Sequence, residues 1–204
     1  GIAYDEVPAG LRAIEPGDFE YSELSSTYMR GGAPGIILQP ESAEQVAAAV
    51  AFARRHPGIQ LSTRSGGHGI SGRRMNDIEV VDHERRLVRI GPGARWMEVA
   101  AALGEFGWAL SSGDYGAVGV GGLATAGGIG WLAREHGLTI DHLRAAEIVL
   151  ADGSIERVDA ATNPDLFWAI RGAGANVGIV TSFEFEVDEV GELGWAQLSF
   201  DASD

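Results

Sequence analysis

The chain has 204 residues, a length that suits one domain or two small lobes around a common core. Its formal net charge of −14 at pH 7 excludes the basic surface needed to bind nucleic acid or an anionic membrane. Cysteine is absent, which excludes disulfide bonds and thiolate metal sites, so any redox chemistry requires a cofactor. The sequence has no apolar run of about 18 residues or more, and no signal peptide is apparent at its start. These features predict a cytoplasmic protein without a metal site.

Proline, glycine and capping residues divide the first half of the chain into short elements. A capping box of Ser42 with Gln45 begins the clearest helix, and Pro57–Gly58 ends it. The predicted elements are an irregular lead-in (1–34), a strand (35–40), a helix (41–58), a strand (59–63), a hairpin (78–91) and an amphipathic helix (95–107).

The second half begins with a glycine-rich segment, 116–137, that leads into a helix ending near His136. Asp152–Gly153 is typical of a tight turn between two strands, which predicts a hairpin over 143–158. The remaining predicted elements are a short helix (163–172), a strand (178–190) and the beginning of another strand (195–200). Since helices and strands are mixed, the fold class is α/β or α+β, with two small lobes.

Glycine accounts for 30 residues, about twice its average share. Much of it lies in three clusters, 64–72, 113–122 and 172–178, rather than in a regular repeat. Exposed backbone amides in such loops bind anions, and diphosphate is a common one. Turns and helix caps explain a single cluster equally well. Three clusters in one short chain favour a long nucleotide cofactor.

One motif suggests a different cofactor. Gly119, Gly121 and Ala124 fit the pattern G-x-G-x-x-A, and Asp141 follows about 20 residues later, as in a dinucleotide-binding fold. That motif should directly follow an apolar strand, whereas the polar sequence SSGDYG precedes it here. A nicotinamide-binding fold is therefore disfavoured.

Four motifs in order give the chain a family resemblance: PESAEQVAAAVAFAR, RSGGHGISG, VGVGGLATAGGIGWLAREHGLTIDHL and PDLFWAIRGAGANVGIVTSFEF. The chain resembles the FAD-binding domain of the para-cresol methylhydroxylase and vanillyl-alcohol oxidase superfamily, and within it the berberine-bridge-enzyme-like oxidases. The resemblance implies a two-lobed α+β domain that binds FAD between its lobes. It implies a lead-in (1–34), an FAD-binding domain (35–190) and the start of a substrate domain (191–204) that is truncated or absent.

The resemblance also implies which residues meet FAD. The loop at 64–69 would wrap the diphosphate, and His68 would be bonded covalently to the 8α-methyl group of the flavin. A neutral imidazole is a competent nucleophile near pH 7, although a hydrogen-bonding loop histidine is the alternative. The implied cofactor contacts are Arg64, Ser65, Gly66, Gly67, His68, Gly69, Asp114, Tyr115, Ala117, Val118, Gly122, Thr125, Gly127, Gly130, Ile179 and Val180.

The sequence departs from the family pattern at two places. Some relatives carry a second flavin tether, a cysteine, where this chain has Tyr115, so the resemblance implies a single attachment. Asp114 and Tyr115 either lie near the isoalloxazine or only shape their loop. Asn76–Asp77 run directly into Ile78, where relatives usually have a further apolar strand. Three aromatic residues are predicted to belong to the core rather than to the cofactor site, namely Trp131, Phe167 and Trp168.

The resemblance implies an FAD-dependent oxidase. A small organic substrate would pass a hydride to the flavin, and dioxygen would reoxidise it. No catalytic base is assigned, because the substrate-binding part of such enzymes is not in this sequence. The alternative is a non-catalytic or apo FAD-binding module that lacks its substrate domain.

Overall fold

A computed structural model describes residues 1–27, 30–65, 74–194 and 196–200. The strands are β1 (Arg12–Ile14), β2 (Ile37–Gln39), β3 (Ile78–Asp82), β4 (Leu87–Ile90), β5 (Trp108–Ala109), β6 (Leu143–Val149), β7 (Ile155–Asp159), β8 (Ile179–Glu186) and β9 (Asp188–Glu189). The helices are α1 (Tyr21–Leu24), α2 (Ala43–Arg54), α3 (Trp96–Gly104), α4 (Val120–Ala124), α5 (Ala133–His136) and α6 (Pro164–Ala173). Short 3-10 turns join several of them. This mixture confirms the α+β class.

A five-stranded antiparallel sheet in the order β3-β4-β8-β6-β7 forms the centre of the fold. Its middle strand, β8, buries Phe183 and Phe185 completely, with ring centroids 5.6 Å apart. Phe183 lies opposite Ile90 on β4 and opposite Ala146 on β6. Because alternate side chains of a strand point to opposite faces, this face becomes the main hydrophobic core, which α3 and α6 also contact.

The opposite face of the sheet carries charged residues. The Glu184 carboxylate is almost fully buried and accepts hydrogen bonds from Arg157 at 2.9 and 3.1 Å and from Arg89 at 3.0 Å. The Arg157 and Arg89 guanidinium groups lower the pKa of Glu184. A buried carboxylate is thereby paired with two half-exposed cations, which keeps it ionised.

Helix α2 begins as the sequence predicts, with one difference. The Ser42 hydroxyl accepts a hydrogen bond from the Gln45 backbone N–H at 3.3 Å, but the Gln45 side chain accepts from Glu41 N–H at 2.8 Å rather than from Ser42. The buried face of α2 packs against Val149 and Ile179 of the sheet. Both predicted hairpins, β3–β4 and β6–β7, are present.

Two predicted strands are wrong, and the lead-in is more ordered than predicted. Residues 59–63 form no strand, and Ile59 and Leu61 are exposed because no strand of the described chain lies beside them. Residues 196–200 also form no strand, and Trp195 lies outside the described residues. The lead-in contains α1 and β1, and β1 pairs with β2. The two-residue pair of β5 with β9 was not predicted either.

Two of the three aromatic core predictions are also wrong. Phe167 is buried in the main core, whereas Trp131 and Trp168 are 82% and 73% exposed. Phe167 and Ile170 lie on the inner face of α6, and Trp168 falls on its outer face. Residues 74–77 lead directly into β3 and form no further strand, and Gly91 N–H donates to Asp77 O at 2.9 Å. In the described part of the chain, no helix is long and apolar enough to cross a membrane.

Candidate cofactor site

The end of the first glycine cluster that the structure describes meets the second cluster. The Ser65 hydroxyl accepts a hydrogen bond from Gly122 N–H at 3.3 Å, and Gly121 N–H donates to the Pro92 carbonyl at 3.0 Å. A Cβ atom at Gly121 would lie 3.0 Å from Ser65 Cβ and 3.0 Å from Pro92 Cβ. Glycine at 121 therefore allows three separate parts of the chain to approach closely.

Thr125 links this junction to the third glycine cluster. Its hydroxyl donates to the Gly121 carbonyl at 2.8 Å, and its own carbonyl accepts from Gly172 N–H at 3.1 Å and Gly174 N–H at 3.3 Å. Gly172 has φ +128°, which ends the regular geometry of α6 and turns its last residues toward Thr125. The three clusters singled out in the sequence thus meet around residues 121–125.

Part of this glycine-rich backbone is open. A Cβ atom at Gly122 or at Gly127 would find no atom within 4 Å, and Gly127 has φ +126°. The carbonyls of Gly127 and Gly128 accept hydrogen bonds from Ile140 at 3.1 Å and Thr139 at 3.0 Å. Within the described residues, the N–H groups of Gly127 and Gly128 have no partner. Open glycine backbone with free donors fits a polar, anionic cofactor such as FAD.

A second close crossing brings Asp114 and Tyr115 near this backbone. A Cβ atom at Gly130 would lie 1.8 Å from the Ser112 carbonyl oxygen, so only glycine fits there without a shift of the backbone. Both Asp114 and Tyr115 are exposed. Their exposure agrees with a role near a ligand and equally with a role in shaping the loop.

Other predicted contacts serve the packing of the fold in this structure. The Val118 carbonyl accepts from Trp96 N–H at 3.1 Å, and Val118 packs against the main core. Ile179 and Val180 are strand residues opposite Val149 and Ile148, and the side chains of both pack in hydrophobic clusters. Ala117 is partly buried next to Val118.

Only part of the loop at 64–69 is described. Arg64 donates to the Ser26 carbonyl at 2.7 Å, and desolvation lowers the pKa of its guanidinium. The remaining predicted residues of this loop, Gly66, Gly67, His68 and Gly69, lie outside the described residues.

A buried polar network below the glycine-rich segment was not predicted. Ser111 and Thr139 are fully buried, and the Thr139 hydroxyl donates to the Ser111 carbonyl at 2.6 Å. The Ser111 hydroxyl donates in turn to the Gly137 carbonyl. His142 also belongs to this network, through the carbonyl of His136 at 2.8 Å. No periodic pattern marks these residues in the sequence, because they are joined by a crossing of segments that are distant along the chain. Metal-binding groups of three or more His, Asp or Glu residues are absent from the described part of the chain.

The chain matches a known protein family over more than half of its length. Residues 34–159 match the family described as the FAD binding domain, so the chain belongs to that family. The family match and the open glycine backbone agree on FAD as the cofactor. The match covers most of the predicted FAD-binding domain (35–190); the domain boundaries themselves stay a prediction.

The chain is similar to proteins that are oxidases by name. It is 39% identical over 168 residues to xylooligosaccharide oxidase from Thermothelomyces thermophilus, covering 75% of this chain and 33% of that protein. A solved structure of 6-hydroxy-D-nicotine oxidase from Arthrobacter nicotinovorans matches with a TM-score of 0.83 at 30% identity, covering 91% of this chain and 44% of that one.

A third relative concerns flavin attachment. The structure of glucooligosaccharide oxidase from Acremonium strictum, which carries a 6-S-cysteinyl, 8α-N1-histidyl FAD, matches with a TM-score of 0.78 at 34% identity, covering 88% of this chain and 41% of that one. The family resemblance stated from the sequence, including the two-lobed fold type, is confirmed. The chain spans about a third of the length of the curated relatives it matches.

Proposed function

We propose that this chain is the FAD-binding part of a flavin-dependent oxidase. The supporting observation is the junction of Ser65, Gly122 and Thr125, where three glycine clusters meet beside open backbone. When bound, FAD supplies the redox chemistry, taking a hydride from a small organic substrate and returning the electrons to dioxygen.

The described residues would bind and orient the cofactor. The free N–H groups of Gly127 and Gly128 and the positive charge of the Arg64 guanidinium would hold its anionic part. The close crossings at Gly121 and Gly130 would keep this backbone in place. A Cβ atom would overlap the Ser112 carbonyl oxygen at Gly130 and would be crowded by Ser65 and Pro92 at Gly121. Fixed donors of this kind need little reorganisation when the cofactor binds.

We also propose that His68 tethers the flavin and that the attachment is single. The glucooligosaccharide oxidase relative carries both a histidyl and a cysteinyl bond. This chain contains no cysteine, so a cysteinyl bond is chemically impossible here. The imidazole of His68 remains as a nucleophile in the matching motif, RSGGHGISG.

Intact-mass measurement of the purified protein and of His68→Ala tests this tether. We expect the wild-type mass to exceed the sequence mass by one FAD, and the variant to lose that increment. Colour that remains after acid precipitation of the wild type would support the same result. A wild-type protein without the mass increment that still takes up free FAD would overturn the tether and favour the alternative of a non-covalent FAD-binding module.

Two glycine substitutions test the cofactor site separately from the tether. Gly122 and Gly104 both lie in helices, and a Cβ atom meets nothing within 4 Å at either position. We expect Gly122→Ala to keep the fold but to weaken FAD binding about ten-fold or more, because its methyl group would occupy open space that the cofactor needs. Gly104→Ala should bind FAD like the wild type. Equal FAD affinity in both variants would exclude this junction as the site.

The substrate and the cellular location are further proposals. Three of the curated relatives are oligosaccharide oxidases by name, which makes sugar hydroxyl groups the first substrates to test. Oxygen consumption with a panel of oligosaccharides would test this in the longest available form of the protein. The cytoplasmic location stays a prediction, which cell fractionation would check.

A further inference from the structure

His142 bridges two parts of the fold through both nitrogens of its ring. It is 7% exposed and lies between the 3-10 turn Thr139–Asp141 and β6. Its Nε2 atom is 2.8 Å from the carbonyl oxygen of His136, at the end of α5. Its Nδ1 atom is 3.2 Å from the carbonyl oxygen of Glu186, at the end of β8.

Both of these partners can only accept hydrogen bonds. A neutral imidazole has one N–H donor and one lone pair, so it would direct that lone pair at one of the two carbonyl oxygens. An imidazolium ion donates from both nitrogens and satisfies both carbonyls. The Asp188 carboxylate lies 3.5 Å from His142 Nδ1 and provides a negative charge beside the ring. These contacts therefore favour the charged form.

His56 differs from His142, because a neutral ring satisfies both of its hydrogen-bond contacts. Its Nδ1 atom is 2.8 Å from the Phe52 carbonyl, but its Nε2 atom accepts a hydrogen bond from Ala3 N–H at 3.1 Å. A neutral ring with its proton on Nδ1 satisfies both contacts. His56 is thus a natural control: a partly buried histidine with two partners and no need for a charge.

The bridge supports the backbone of the candidate cofactor site. Two residues before His142, the N–H of Ile140 donates to Gly127 at 3.1 Å, and Thr139 N–H donates to Gly128 at 3.0 Å. On its other side, His142 O accepts from Glu186 N–H at 3.0 Å. Residues 127–141 are consequently attached to β8 through His142.

Four charged residues around the bridge have partners of their own. Asp141 accepts from Leu138 N–H at 2.8 Å, and Arg144 pairs with the Glu186 carboxylate at 2.9 Å. Arg86 donates to the Val187 carbonyl at 3.0 Å. On α5, His136 Nδ1 lies 3.1 Å from the same Asp188 oxygen that faces His142.

We propose that His142 is a positioning residue held as an imidazolium, and that its two donated hydrogen bonds fix residues 127–141 against β8. Loss of the proton removes one of the two bonds and loosens that segment. The glycine backbone at the candidate site is thereby ordered in a proton-dependent way. The inference concerns the protein chain alone and does not depend on the proposed function.

Hydrogen–deuterium exchange of the whole chain, without added cofactor, tests the proposal from about pH 5 to about pH 9, a range that spans histidine titration. After correction for intrinsic exchange rates, protection of the Thr139 and Ile140 amides should fall by about ten-fold as the pH rises, the size expected for one charge-assisted hydrogen bond. His142→Gln should show the low protection at every pH. His56→Gln should keep the wild-type profile, and the amides of β8 report whether each variant is folded.

Nitrogen NMR of the wild-type histidine rings keeps the test valid if His142→Gln fails to fold. We expect both nitrogens of His142 to be protonated under conditions where Thr139 and Ile140 are protected. A neutral His142 ring under those conditions would overturn the proposal. So would a pH profile of residues 139–140 that His142→Gln leaves unchanged.

Discussion

The central sheet and the glycine-rich segment 111–142 are held together in different ways. In the sheet, β8 pairs with strands on both sides and buries a continuous apolar face. The segment 111–142 contains only α4, α5 and one 3-10 turn, and buried side chains such as Ser111 and Thr139 bond its backbone. Many similar contacts stabilise the sheet, whereas a few specific hydrogen bonds determine the shape of the segment. Truncation of an apolar side chain in the sheet should therefore cause the largest loss of global stability. Loss of a single hydrogen bond should matter more in the segment, where it also alters local order.

The largest effect is expected from Phe183→Ala in the centre of the sheet. Phe183 is fully buried, so the substitution leaves a cavity and should lower the free energy of unfolding by about 3–5 kcal/mol. Chemical denaturation, monitored with several spectroscopic probes, measures this loss. Ile155→Ala, at a partly exposed position on β7, serves as a control and should cost under about 1 kcal/mol. Similar losses in both variants would contradict the central role of the β8 face.

One buried threonine in each region allows the segment 111–142 and the sheet to be compared directly. Thr139→Val removes the hydroxyl that donates to the Ser111 carbonyl at 2.6 Å. The substitution should lower the free energy of unfolding by about 1–3 kcal/mol. Thr181 in β8 donates to the Glu147 carboxylate at 2.7 Å, and Glu147 is partly exposed. Thr181→Val should cost less, about 1 kcal/mol or below, because water can replace the donor and valine suits a strand. Hydrogen exchange should show that only Thr139→Val loosens residues 127–130; a reversed order would contradict the comparison.

The ion pairs of Glu184 on the polar face of the sheet should make the free energy of unfolding depend on pH. Since Arg157 and Arg89 lower the pKa of Glu184, the folded state binds its proton more weakly than the unfolded state. The ionised Glu184 therefore stabilises the fold at pH values above 4.5, the ordinary pKa of a glutamate. This stabilisation is lost as the pH falls through the lower pKa of Glu184 in the folded state. Glu184→Gln should cost roughly 1–2 kcal/mol at neutral pH, discounted because both arginines are half-exposed.

Urea unfolding of wild type and Glu184→Gln at several pH values measures this difference, which should shrink below pH 4.5. Glu186→Gln is the matched control, because its partner Arg144 lies at 2.9 Å but both side chains are exposed. We expect it to cost under about 1 kcal/mol. A Glu184→Gln effect that is constant with pH would show that the ion pair is not its cause.

The smallest effect is expected from Trp168→Gln on the outer face of α6. Because Trp168 is largely exposed, the free energy of unfolding should change by no more than about 0.5 kcal/mol. Phe167→Ala, one residue earlier on the buried face, should cost about 3–5 kcal/mol. A large loss from Trp168→Gln would mean that this face is covered in solution.

The sequence predicted the regular region better than the irregular one, for identifiable reasons. The hairpin β6–β7 and helix α2 carry local signals, namely the Asp152–Gly153 turn and the Ser42 cap. The apolar runs at 59–63 and 196–200 resemble strands, but a strand also needs a partner, which the pattern of one segment does not reveal.

The candidate site divides in the same way. Clustered glycines identified the segments that meet at Ser65, Gly122 and Thr125, because glycine marks close backbone approach. The network of Thr139 and His142 depends on where distant segments cross, so spacing alone did not reveal it.

The position of β8 in the sheet also affects how the chain can be made. Ribosomes synthesise β4, which ends at Ile90, and β6, which ends at Val149, long before β8 begins at Ile179. Until β8 emerges, the hairpins β3–β4 and β6–β7 each expose an unpaired inner edge, a surface that favours aggregation. A nascent or truncated chain that stops before residue 179 therefore lacks the strand that joins its two halves. Aggregation during synthesis in cells is therefore expected mainly before β8 has been made.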